Sequence, residues 1–270
     1  MTRPAAISPA QARAITATAH RLADAARAAT LRHFRNPHLA ADSKTAQGFD
    51  PVTQADREAE AAIRAILARE RPEDGILGEE EAARPGRSGL TWVIDPVDGT
   101  RAFLSGTPTW GVLIAVDAGA GPVCGLIDQP WTGERFWGGF GRAEFTRGAL
   151  RRPLGVRPCA ELGSAILFTT FPEIGSAAER AAFAEVSARC RLTRYGLDCY
   201  AYALLALGMI DLVIEAGLQP YDVAAPIAVI EAAGGIVTDW RGGPAHGGGR
   251  ILAAGDRRLH ERALAILSRV

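Results

Sequence analysis

The sequence predicts an α/β chain of the α+β kind. Two observations predict it. The middle third is a series of short apolar and aromatic runs punctuated by Gly and Pro at hairpin spacing, which reads as an antiparallel sheet. The last third alternates helix-like and strand-like segments. A chain of 270 residues makes one large domain or two modest ones. A shift in composition near residues 150–160 divides it into an α+β half, 1–155, and an α/β half, 156–270.

The elements follow in order. Ser8-Pro9 opens an Ala-rich helix through Phe34, with Ile15, Ala19, Leu22, Ala26 and Leu31 at helical spacing. Pro37, Gly48 and Pro51 make residues 36–51 a loop or short strands. Thr53 is a candidate N-cap for the next helix, and Asp56 completes a near capping box. "GILGEEE" is a short strand ending in acids, and "LTWVIDPVDGT" a strand running into a turn. "TWGVLIAVD", "GPVCGLIDQP" and "ERFWGGFG" continue the sheet. "SAILFTT", "RLTRYG", "IDLVIEAG", "IVTDW" and "RILAAG" are later strands. Helices lie between them, among them "DCYAYALLALGM" and "YDVAAPIAVIEAAGG", and a last helix closes the chain.

Composition excludes several functions. Lys+Arg and Asp+Glu are 30 each, so no basic field exists to attract nucleic acid or an anionic membrane. No run of about 18 apolar residues is present. No apolar signal segment opens the chain, so the expectation is a soluble, cytoplasmic protein. Cys124, Cys159, Cys190 and Cys199 form no CxxC pair and read as buried thiols. The five histidines have no ligand spacing.

The acids carry the chemistry. Asp50, Glu79-Glu80, Asp95 with Asp98, and Asp222 stand at strand ends or helix starts. Such positions converge in an α/β fold, and hard oxygen ligands suit Mg²⁺. Pro96 makes the chain turn after Asp95, and Gly99 lets backbone approach a ligand. Thr100 starts a short helix whose first amides point outward, a site for an anion. Carboxylates for metal beside amides for phosphate compose a phosphoryl-transfer centre. Each cluster alone also has a structural reading. DPxDG is a common turn, Asp56 and Asp222 are helix-capping acids, and Glu79–Glu81 a solvated charge run.

Taken together, "GEE" at 78–80, "WVIDPVDGT" at 92–100, "YDVAAPIAVIEAAGG" at 221–235 and the upstream "DPVTQAD" resemble the inositol monophosphatase superfamily of Mg²⁺-dependent, lithium-sensitive phosphatases. The resemblance implies a layered αβαβα sandwich with the site between its halves. It implies Glu79, Asp95, Asp98, Asp222 and the Val97 carbonyl as ligands to two or three Mg²⁺ ions, with Mn²⁺ an alternative. Thr100 and Glu79 would activate the attacking water, and the Gly99 and Thr100 amides would hold phosphate. Asp50 and Thr53 would join the water network, and Lys44 a loop at the site. A homodimer is also implied. Tyr221 stands where the family has Trp, a packing position.

"DPVDGTRAFLSGTPTWGVLIAV" and "GLDCYAYALLALGMIDLVIEAGLQPYDVAA" are most similar to the histidinol-phosphate phosphatase branch. Arg101 and Trp110 belong to that likeness. Specificity must come from groups facing the substrate beyond its phosphate. Asp198, which also reads as a helix N-cap, and Glu215 can pair with an ammonium or accept from hydroxyls. The expectation is hydrolysis of a small phosphorylated alcohol, histidinol phosphate first. The alternatives are an inositol, sugar or nucleotide monophosphatase, or a non-catalytic metal-binding module.

Overall fold

The computed structural model describes residues 7–39, 41–43 and 51–270. Lys44 and Asp50 lie outside the described residues, as do positions 40 and 45–49 of the expected loop.

Helix α1 (Pro9–Leu31) begins with a capping box in which Ser8 and Gln11 each accept from the other's amide. Ile15, Ala19, Leu22 and Ala26 are buried as expected. Leu31 is 37% exposed instead, because the 3.6-residue period carries the apolar stripe onto Ala29 and Thr30. Strands β1 (Ala41–Ser43) and β2 (Pro51–Thr53) pair antiparallel and lead into α2 (Gln54–Glu70). Thr53 and Asp56 make the expected capping box there.

The first sheet runs in chain order. It comprises β3 (Gly75–Gly78), β4 (Thr91–Asp98), β5 (Gly111–Asp117), β6 (Pro122–Gln129), β7 (Glu134–Gly139), β8 (Arg142–Arg147) and β9 (Leu150–Pro153). A one-turn helix α3 (Thr100–Leu104) sits between β4 and β5. The sheet is antiparallel except for the parallel pair β3–β4. The hairpin β8–β9 lies beyond the expected strands, because half of its side chains are charged and only Phe145 is buried.

The second half adds β10 (Ile166–Thr169), α4 (Ala177–Ser187), β11 (Leu192–Tyr195), α5 (Cys199–Ala206), β12 (Leu212–Leu218), α6 (Pro220–Ala232), β13 (Ile236–Thr238), β14 (Gly249–Ala254) and α7 (Arg257–Leu267). Its sheet has the order β11-β10-β12-β14-β13 and is mixed, with the first three strands parallel.

Strand alternation builds the layers. Trp92, Ile94, Val112 and Ile114 pack on α1 and α2, whereas Val93, Leu113 and Ala115 face α5 and α6. Val213, Ile251 and Ala253 of the second sheet meet the same two helices from the other side. Leu212, Ile214 and Leu252 face α4 and α7. The result is the αβαβα sandwich. Its middle helix α6 is apolar almost all round, as a helix buried on both faces must be. It lies so close to the first sheet that a Cβ on Gly138 would stand 2.4 Å from the Val229 Cα. Cys124 and Cys199 are buried as expected, but Cys159 and Cys190 are half-exposed at the margin of the outer core.

Candidate active site

The end of β4 explains how two acids three residues apart serve one site. In a regular strand, Asp95 and Asp98 would point to opposite faces. The pairing with β5 shifts between them, since Asp95 opposes Leu113 and Asp98 opposes Gly111. That irregularity, between Asp95 and Asp98, inserts one residue and restores both carboxylates to the side of the middle helices. The Val97 amide donates to Asp95 at 3.0 Å and the Cys199 amide donates to Asp98 at 2.6 Å. Asp98 is therefore tied to the first residue of α5. Asp222 stands in the first turn of α6, where it accepts from the Gln219 amide at 2.7 Å. The cap itself is Gln219, so Asp222 is not the N-cap its sequence position suggests.

Asp95, Asp98 and Asp222 each bring one carboxylate oxygen within 4.8 Å of the others. Burial, then Glu79, Asp98 and Asp222, push Asp95 well above the usual carboxylate range. Burial, then Asp198 and Asp222, do the same to Asp98. Carboxylates held this close repel one another unless a cation lies among them. Their hard oxygens fit Mg²⁺ or Mn²⁺.

Glu79 is placed by a buried carboxylate beneath it. Glu60 on α2 accepts from the Glu80 and Glu81 amides at 2.9 and 3.1 Å, and Arg64 pairs with it at 2.8 Å. A Cβ on Gly78 would lie 2.2 Å from Glu60 Oε1, so any side chain there would displace the Glu60 carboxylate.

A cavity of about 340 Å³ joins these groups to the second half of the chain. Glu79, Asp95, Val97, Asp98, Gly99, Thr100, Arg101, Asp198, Glu215 and Asp222 all line it. Gly99 has φ +86° and packs so tightly on Asp198 that a Cβ would meet its carboxyl carbon at 2.9 Å. Asp198 does not cap α5 with its side chain, contrary to the simple helix reading, because its own φ is +48°. Burial pushes it up to about 6, against the pull of Arg101. Glu215 accepts from the Thr169 hydroxyl at 3.1 Å and from the Thr170 amide and hydroxyl at 2.6 and 2.8 Å. Burial still raises it to about 7.

Thr53 lies behind the cavity wall rather than on it. Its hydroxyl donates to Asp56 at 2.5 Å, and the other Asp56 oxygen is 3.5 Å from the Thr100 hydroxyl. Thr100 also donates to the Val97 carbonyl at 3.2 Å. Asp56 is thus more than a helix cap. Thr170, Phe171, Cys199 and Tyr202 line the cavity without having been expected there. Phe171 is 43% exposed and lies under the Arg101 guanidinium. Tyr202 follows Asp198 by four residues, the one signal that could have found it.

The model of the inositol monophosphatase family matches residues 11–270. A bifunctional phosphatase of Arabidopsis thaliana, IMPL2, is 38% identical, over 98% of this chain and 78% of its own. The histidinol-phosphatase of Mycobacterium tuberculosis is 36% identical, over 92% of this chain and 95% of its own. The solved structure of an inositol monophosphatase from Zymomonas mobilis superposes with a TM-score of 0.84 at 41% identity, covering 97% of this chain and 99% of that one.

Proposed function

The chain belongs to the inositol monophosphatase family and is a phosphoric monoester hydrolase, and on that premise we propose that it hydrolyses histidinol phosphate. The carrying observation is the pair of acids beyond the three-carboxylate cluster. Asp198 and Glu215 line the same cavity, close enough for the charge of one to raise the other. Two carboxylates there suit a substrate ammonium. Inositol phosphate offers only hydroxyls. Glu215 suits these also, and the Zymomonas mobilis likeness favours that second reading.

In this reading Glu79, Asp95, Asp98, Asp222 and the Val97 carbonyl hold Mg²⁺. Bound there, the ion supplies Lewis-acid polarisation of the phosphoryl oxygens and neutralises developing charge. The Gly99 and Thr100 amides and Arg101 orient the phosphate. Thr100 donates its proton to the Val97 carbonyl or Asp56, which leaves its oxygen to accept from the attacking water. Glu79 takes that water's proton as it adds in line to phosphorus, while the ester P–O bond on the opposite side breaks and the departing alkoxide takes a proton from solvent water to leave as the free alcohol. Cys199 is no rival nucleophile, because burial and the adjacent acids hold its thiol protonated.

Phosphate release from histidinol phosphate, inositol 1-phosphate, fructose 1,6-bisphosphate and 3'-phosphoadenosine 5'-phosphate, with Mg²⁺ and with EDTA, tests this. Histidinol phosphate should lead by tenfold or more in kcat/KM, about 1.4 kcal/mol of discrimination. A lead for inositol 1-phosphate would retain the phosphatase and remove the histidinol reading.

A further inference from the structure

Of the large apolar side chains that stand exposed among the described residues, only Phe171 lines the active-site cavity. It is 43% exposed even with the Arg101 guanidinium 5.1 Å from its ring centroid. The ring therefore has free surface at the edge of the space a substrate enters. An apolar ring left in water gives up the gain of burial, and a ligand that covers it recovers that gain.

The backbone holds the ring from behind. Thr170, the preceding residue, donates its amide and hydroxyl to Glu215 at 2.6 and 2.8 Å. Its carbonyl accepts from the amide of Gly196, two residues before Asp198, at 3.1 Å. All the polar groups of Thr170 are thus engaged with the chain that carries the two selecting acids. Phe171 enters the cavity wall from a fixed point, so little ordering is left for a ligand to impose.

A flat unsaturated ring meets a phenyl ring in offset or edge-to-face contact across its whole area. A saturated ring is puckered, and fewer of its atoms reach contact distance. A polyol also loses water from its hydroxyls against an apolar surface. A phenyl ring that served only to support Arg101 would act differently. Arg101 follows Thr100 in α3, at the phosphate end, so its support would be felt alike by every phosphomonoester.

We propose that Phe171 is a specificity-determining contact, the platform on which a planar unsaturated ring of the substrate's alcohol stacks. The substrate class is then a phosphomonoester whose alcohol carries such a ring, together with a cationic group for Asp198 and Glu215. This rests on the reading of the cavity as the active site and deepens the histidinol reading, since an imidazole is planar and unsaturated and an inositol ring is neither.

The test uses benzylphosphonate and cyclohexylmethylphosphonate, which share a skeleton and differ in whether the ring is planar. Neither has an ester bond to hydrolyse, so both are read as competitive inhibitors of the wild type's preferred substrate in the presence of Mg²⁺. The ratio of inhibition constants, cyclohexylmethyl over benzyl, should fall at least about fivefold from wild type to Phe171→Leu, the scale of one aromatic contact. Phe171→Tyr, which keeps the ring, should hold the wild-type ratio within about twofold. An unchanged ratio in Phe171→Leu would overturn the proposal. Equal weakening of both phosphonates would do the same, because it assigns the ring to the support of Arg101 alone. Inhibition by neither phosphonate would also overturn it. A wild type that prefers inositol 1-phosphate, with the ratio still lost in Phe171→Leu, would remove the histidinol reading and leave the Phe171 contact standing.

Discussion

The two ends of the cavity hold carboxylates in opposite ways. At the β4 end, Asp95, Asp98 and Asp222 converge on one another, and their mutual charge adds to the cost of burial. At the far end, Glu215 accepts three hydrogen bonds from Thr169 and Thr170, which offset much of that cost. The first arrangement is complete only with a cation. The second is already solvated by protein and needs one ligand group to finish it. In the proposed reading, the difference separates the part of the site that would do phosphate chemistry from the part that would select a substrate.

The strongest way to break that comparison is Asp98→Asn. Turnover at saturating Mg²⁺ should fall by at least about 100-fold, beyond the usual loss for a group outside the metal shell. Tm without Mg²⁺ should hold or rise, because a like-charge contact is removed. Near-native turnover would mean that the cluster is not the catalytic centre. Binding of the ion should itself be visible in the wild type. A Tm rising with Mg²⁺ is expected, reaching about 2.7 kcal/mol of stabilisation at a hundredfold excess over Kd. Lithium at millimolar concentration should reduce both turnover and that rise. A Tm indifferent to Mg²⁺ would argue against an ion held by these residues.

Gly78→Ala should act more weakly and from one step back. Its Cβ would collide with the Glu60 carboxylate, and overpacking of this kind costs about 1–3 kcal/mol. Displacing Glu60 also loosens the Glu80 and Glu81 amides beside Glu79, so the apparent Mg²⁺ affinity should fall with Tm. Gly155→Ala, where a new Cβ meets nothing within 4 Å, is the control. Equal melting curves for the two variants would remove Glu60 from the account of how Glu79 is placed.

The same division explains what the sequence could reveal. Asp95, Asp98, Glu79 and Asp222 stand out because acids at strand ends, beside Pro96 and Gly99, serve no packing purpose. Their convergence depends on the bulge in β4, which is set by pairing with β5 and leaves no mark in a single strand. The far wall is harder to read. Tyr202 sits in a run, "AYALLALGM", whose residues all look like core. Phe171 and Thr170 come from a loop that only the order of the second sheet brings to the cavity. Asp56 reads correctly as a cap, but its reach to Thr100 spans 44 residues and belongs to tertiary structure. The β8–β9 hairpin was silent because its charged side chains face water on both sides.

The finest comparison is between two glutamates whose environments shift them in opposite directions. Burial raises Glu215 to about 7, so the folded state holds a proton that the unfolded chain, with its ordinary value of 4.5, releases. Its contribution to stability declines as pH rises from 4.5 toward 7 and the penalty is complete above that. Glu179 is drawn down to about 2 by the Ser176 amide and by Arg250 at 2.6 Å. Its contribution is complete above 4.5 and is lost as pH falls toward 2. Melting curves without Mg²⁺ from about pH 4 to about pH 8 should therefore cross for the two amide variants. Glu215→Gln should gain on wild type as pH rises, whereas Glu179→Gln should lose most above 4.5 and approach wild type in acid. Parallel curves would mean that the Thr169 and Thr170 donors fully offset the burial of Glu215, and that the two ends of the cavity differ less than their geometry implies.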